Sequence, residues 1–108
     1  MKRRALTRTA ALAGAALLAL TAPALAYAAT GTFQYVLPDG ASASLVNPDD
    51  ERCYNIDTYG PIDNATNRYA VLYPSTACRG NTNTLTPGQY APHLDARSVR
   101  FTAKAPQR

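Results

Sequence analysis

The stretch Arg68-Tyr69-Ala70-Val71-Leu72-Tyr73-Pro74-Ser75-Thr76-Ala77-Cys78-Arg79-Gly80 decides how the rest of the chain is read. Its first six residues set Arg68, Ala70 and Leu72 against Tyr69, Val71 and Tyr73, a period of two that predicts a β-strand with either set able to face a core. Pro74 has no N–H to continue a ladder, so the strand ends there and a hairpin runs to Gly80. Ser98-Val99-Arg100-Phe101 repeats the same alternation downstream and predicts the last strand, over 98–102.

Upstream the pattern is similar. Phe33 and Tyr35 alternate with Gln34 and Val36, Pro38-Asp39-Gly40 turns the chain, and Ala43 and Leu45 mark a second strand that Asn47-Pro48-Asp49-Asp50 ends. Cys53 to Ile56 is expected as a third strand, Ile62 to Asn67 as a fourth, and Thr82 to Leu85 as a polar strand before the turn Thr86-Pro87-Gly88. No stretch after residue 30 carries apolar residues at a helical period, so the expected class is all-β.

The N-terminus has another character. Lys2, Arg3 and Arg4 precede an Ala/Leu-rich run from Ala10 to Leu20, then Pro23 and the overlapping small-x-small sites Ala24-Leu25-Ala26 and Ala26-Tyr27-Ala28. Basic, apolar and cleavage regions in this order predict a secretory signal peptide over 1–28, cut after Ala28 or alternatively after Ala26. The apolar run is short of the roughly 20 residues that span a bilayer, so no membrane anchor is expected. Arg3-Arg4 with Leu6 and Arg8 loosely resembles a twin-arginine export signal.

Removing the leader changes the electrostatics. Of the eleven basic residues, Lys2, Arg3, Arg4 and Arg8 lie in it, and the remaining seven balance the seven acids. A neutral mature chain lacks the basic patch that nucleic-acid binding requires, so no nucleic-acid partner is expected. The remaining 29–108 make one small domain, of a size at which a single core is marginal and covalent staples help. In an exported chain Cys53 and Cys78 are expected to form one intrachain disulfide, worth about 3.5 kcal/mol for a loop of roughly 26 residues. A reactive thiol is the competing reading. Two cysteines and His93 are too few ligands for zinc.

The halves align with each other. Phe33, Pro38 and Gly40 have the spacing of Tyr73, Cys78 and Gly80, as in an internal duplication of two four-strand motifs, about 31–67 and about 68–103. An aromatic, a hairpin residue five positions on, a glycine two further and a serine some twenty later resemble the Greek-key pattern of the βγ-crystallins, here Tyr73, Cys78, Gly80 and Ser98. Leu85-Thr86-Pro87-Gly88 sits where that family leaves its second strand. The resemblance implies a small Greek-key β-sandwich in which the third strand of each motif crosses to the partner sheet. Cys53 would then lie with the motif that holds Cys78. It also implies that Ser98 hydrogen-bonds the folded hairpin. Position 78 is usually aromatic in the family. In the first copy Thr58 is the nearest residue to the serine position.

The resemblance extends to function. Small secreted members of this group include metalloproteinase inhibitors of actinobacteria, which makes an extracellular protease the expected partner of a monomeric, non-catalytic protein without a cofactor. The candidate binding loop is Pro74, Ser75, Thr76, Ala77 and Arg79 beside the staple, with 57–68 inside the disulfide loop as a second candidate. Killer-toxin-like members suggest the alternative, a toxin-like or cell-surface-binding module, in which Tyr54, Tyr59, Tyr69, Tyr73 and Tyr90 would form an aromatic face. Many members bind calcium through two Asp or Asn residues followed, three positions on, by two hydroxyl residues. Asp63-Asn64, followed by Asn67-Arg68, and Asp49-Asp50, followed by Cys53-Tyr54, keep only the acidic half of that pattern, Asp63 and Asn64 being the better remnant. Asn64-Ala65-Thr66 is also a glycosylation sequon. His93, the single histidine, reads as a loop residue rather than a catalytic base, and Asp49-Asp50-Glu51 as a solvated, self-repelling run.

Overall fold

The computed structural model describes residues 27–106, so most of the expected leader lies outside the described residues. Eight strands follow in order: β1 Gly31–Val36, β2 Ser42–Val46, β3 Cys53–Thr58, β4 Ile62–Thr66, β5 Tyr69–Tyr73, β6 Asn83–Leu85, β7 Tyr90–Ala91 and β8 Ala96–Thr102. They form two four-stranded antiparallel sheets, β2-β1-β4-β7 and β3-β8-β5-β6. Among the described residues no helix is long and apolar enough to cross a membrane.

Each sheet takes three strands from one half of the chain and one from the other. β3 leaves the first half to pair with β8, and β7 leaves the second half to pair with β4. Neither half therefore has a complete sheet of its own. β7 is an element that the sequence pattern did not predict. Two residues are too short to display a period, and only the pairs Ile62↔Ala91 and Asp63↔Tyr90 make them a strand.

Between the sheets lies one apolar core of Phe33, Ile56, Ile62, Ala70, Leu72, Leu85, Ala96, Val99 and Phe101. Phe33 from the first sheet meets Phe101 from the second edge to face, at 5.2 Å between ring centroids. That geometry suits the ring quadrupoles. Burying side chains of this size contributes about 1.5–3 kcal/mol each before the cost of ordering them.

The strand at 69–73 resolves the choice of face in an unexpected way, because Ala70, Val71, Leu72 and Tyr73 are all buried. Ala70 and Leu72 enter the core. Val71 and Tyr73 lie on the outer face, in register with Arg100 and Ser98 of β8. Something must cover that face, and it is the hairpin that follows β5.

Candidate functional site

Residues opposite one another in a sheet project to the same side. The register therefore lays two rows across the outer face of the second sheet, Cys53–Arg100–Val71 and Asn55–Ser98–Tyr73. The hairpin from Pro74 to Gly80 is fastened to both rows. Cys78 is disulfide-bonded to Cys53, with a Cα–Cα distance of 6.0 Å. Asn55 Oδ1 accepts the Ala77 N–H at 2.9 Å. The Ser98 hydroxyl accepts the Cys78 N–H at 2.9 Å and donates to the Ser75 carbonyl at 2.6 Å.

Ser98 is fully buried, which explains why a hydroxyl is wanted there. A buried hydroxyl without partners costs free energy, whereas this one satisfies two backbone groups of a loop whose own pairing is the isolated Ser75↔Arg79 bridge. The loop's backbone is unusual as well. Ala77 and Cys78 have φ of 60° and 55°, in the left-handed region that costs ordinary residues roughly 1–2 kcal/mol each. Such a conformation persists where surrounding contacts over-determine it. Gly80, at φ 102°, closes the turn where an added Cβ would come within 2.8 Å of the Pro74 ring.

Pinned from below, the hairpin is open above. Pro74, Ser75, Thr76, Ala77 and Arg79 are exposed, and Cys78 is half-buried over its partner. The candidate loop residues are thus brought together on one rigid knuckle. Asn55 belongs to the same assembly and has no signature in the sequence. No local pattern marks it, since its role follows from the β3–β8 register alone.

The acidic run is solvated at Asp49 and Glu51, as expected, but its charges are paired with arginines instead of being left to repel one another. Each carboxylate has its own arginine: Asp49 with Arg52 at 3.3 Å, Asp50 with Arg68 at 3.0 Å, and Glu51 with Arg100. The Asp50–Arg68 pair is the most sheltered, with side-chain exposures of 14% and 18%. Arg100 also donates from Nε to the Tyr73 hydroxyl at 3.2 Å, and that bond is the main cause of its raised pKa. The Glu51–Arg100 pair fastens the segment before β3 to β8, where Glu51 N–H also donates to the Phe101 carbonyl, and the Asp50–Arg68 pair fastens it to the residue before β5.

Asp63 and Asn64 are neighbours on β4 and point to opposite faces, as the pleat requires. Asn64 is fully buried, and its side-chain amide reaches the carbonyls of Arg68, Leu85 and Thr86 at 2.8, 3.2 and 3.0 Å. Its Oδ1 accepts from the Thr66 hydroxyl at 2.7 Å. Asn64 is thus a structural lock between β4 and the turn after β6, and burial keeps its sequon from a glycosylating enzyme in the folded protein. Among the described residues no group of three or more His, Cys, Asp or Glu side chains converges as metal ligands.

The five tyrosines do not form one face. Tyr73 is buried, Tyr54 and Tyr69 are half-buried, and Tyr59 and Tyr90 are each 57% exposed. Tyr54 packs edge-on against Phe101 and carries the Arg52 guanidinium 4.9 Å from its ring centroid. His93 is exposed, in the loop that Leu94 ties to the Gly60 carbonyl. Thr58, the counterpart of Ser98 by spacing, is fully buried and donates to the Val36 carbonyl at 2.8 Å.

Fold and site define a two-sheet all-β protein whose most prominent surface feature is a hairpin stapled to its own sheet. No family model matches the chain, and no curated protein or solved structure matches it.

Proposed function

We propose that this chain is a secreted, non-catalytic binding protein of βγ-crystallin-like Greek-key architecture, and that it inhibits an extracellular proteinase through the hairpin 74–80. The exchange of β3 and β7 between the sheets supports the architecture, together with the motif Tyr73, Cys78, Gly80 and Ser98. The leader pattern supports export.

One observation carries the inhibitor reading: the hairpin is exposed at its tip and fixed at its base by a disulfide and three hydrogen bonds. A flexible loop loses side-chain and backbone freedom on docking, and a loop held in advance does not. The same restraint protects against cleavage, because a protease must draw its substrate into an extended conformation. The left-handed turn at Ala77 and Cys78 interrupts any extended run, leaving Pro74 to Thr76 and the Arg79 side chain as the contact surface.

Residual activity of a panel of secreted metallo- and serine proteases, measured with equimolar mature protein, tests this. Slow or absent turnover by at least one of them is expected, lost in Thr76→Ala and Arg79→Ala variants that melt like the wild type. If every protease ignores the protein or degrades it quickly, the inhibitor reading fails.

A further inference from the structure

The two outer faces of the sandwich differ. Nine residues, 74–82, separate β5 from β6 and roof the second sheet. Only five, 37–41, separate β1 from β2, and they close on themselves through Leu37 N–H to Ala41 O and Gly40 N–H to Leu37 O, both at 2.8 Å. The outer face of the first sheet is left open.

On that open face the register sets Ser44, Gln34, Asp63 and Tyr90 side by side across all four strands. A cleft of about 220 Å³ lies there, bounded by Gln34, Asp63 and Tyr90 and completed by Tyr35, Ser42 and Pro61. Its single formal charge is the Asp63 carboxylate. Asp49, Asp50, Glu51 and Asp57 each have an arginine, whereas Asp63, like Asp39 and Asp95, has no ion pair among the described residues, and of these three only Asp63 lines the cleft on this sheet face. The other polar atoms of the cleft are an amide and hydroxyl groups, which can accept hydrogen bonds. Burial raises the Tyr35 pKa, so this phenol stays neutral across the physiological range.

We propose that this cleft binds the guanidinium of an arginine side chain presented by a protein or peptide partner. A guanidinium is planar, permanently charged and carries five N–H donors in a fixed fork, so it needs one carboxylate and further neutral acceptors in a shallow site. Asp63 supplies the carboxylate, while Gln34 and Ser42 supply neutral acceptors. Tyr90, more than half exposed beside Asp63, offers a ring face to the cation. The site is independent of the hairpin, lying on the opposite sheet.

Backbone amide shifts of isotopically labelled protein, titrated with Nα-acetyl-arginine methylamide, test the assignment. Saturable shifts centred on Gln34, Asp63 and Tyr90 are expected, with affinity at least tenfold weaker in Asp63→Asn and no saturation with the citrulline analogue, which has the shape without the charge. Asp63→Asn keeps a polar, isosteric side chain on a half-exposed strand position, and Gln34→Ala is a second variant with the same expected direction. No saturable shift at tens of millimolar probe, equal binding of the citrulline analogue, or preferential binding of a neutral monosaccharide at these residues would each overturn the proposal. The lysine analogue is expected to bind more weakly than arginine, and the reverse order would assign the cleft to ammonium groups and refute the guanidinium.

Discussion

Ser98 and Cys78, twenty residues apart, are joined by a hydrogen bond from the Cys78 N–H to the Ser98 hydroxyl, so the residue that carries the covalent staple is also held by the floor beneath it. Removing that hydroxyl leaves the Cys78 N–H and the Ser75 carbonyl without their partner. Ser98→Ala is expected to lower stability by about 1–3 kcal/mol, read from the urea midpoint at unchanged slope. An unchanged midpoint would show that water replaces the hydroxyl without cost.

The disulfide and the hydrogen bonds act on different states. The disulfide restricts the unfolded chain, and a Cys53→Ser, Cys78→Ser double variant is expected to lose about 3.5 kcal/mol. The protein purified without reductant should show no free thiol, and reduction should lower its melting temperature. Where the proposed inhibition is found, its loss in the reduced protein under conditions where it is still folded would locate it in the hairpin. Two free thiols in the protein purified without reductant would refute the staple in solution.

Asn64 is expected to be the most sensitive polar position of the first sheet. Asn64→Ala leaves the carbonyls of Leu85 and Thr86 without their side-chain partner and leaves the Arg68 carbonyl and the Thr66 hydroxyl hydrogen only the 3.3 Å bond between them, in a site the substitution cannot rehydrate fully. A loss of about 2–4 kcal/mol follows from several buried groups orphaned at once. Denaturant unfolding checks it, and intact mass after expression in a glycosylating host is expected to show no glycan on the folded protein.

The residues at the expected leader boundary participate in the fold. The Tyr27 carbonyl accepts the Asp50 N–H at 2.9 Å, and Ala28 pairs with Asp49 and accepts from Arg68 Nη2 at 3.4 Å. A chain starting at Tyr27, as cleavage after Ala26 would leave it, keeps these contacts. Cleavage after Ala28 removes them and places a charged amine on Ala29, which is buried. Proteins 27–108 and 29–108, unfolded side by side, are expected to differ by on the order of 1 kcal/mol in favour of the longer one. Identical stabilities would mean that this edge contributes nothing.

Much of the hairpin was readable from the chain. Tyr73, Pro74, Cys78 and Gly80 are close in sequence, and each constrains the backbone by its own chemistry: an aromatic strand residue, a missing N–H, a staple and a left-handed turn. The surroundings were not readable in the same way. Asn55 looks like any polar strand residue until β3 pairs with β8. Asp50 looks like one of three repelling acids until Arg68, eighteen residues on, folds beside it. The tyrosines illustrate the same limit, because a phenol suits a core edge and an exposed face equally well, and burial of Tyr73 follows from the next hairpin being drawn back over the sheet by Asn55 and Ser98.

The period of two at residues 69–73 predicts a strand because alternation is a property of the extended backbone itself, and two cysteines in a chain whose N-terminus reads as a leader predict the staple that joins Cys53 to Cys78. Which side of that strand is covered is not a local property. Both sides are buried, since β8 brings Val99 and Phe101 to the core face while the hairpin is drawn down over the outer face by contacts spanning twenty residues or more. Contacts of that range depend on which strands exchange between sheets, and the exchange is a result of packing the whole core at once.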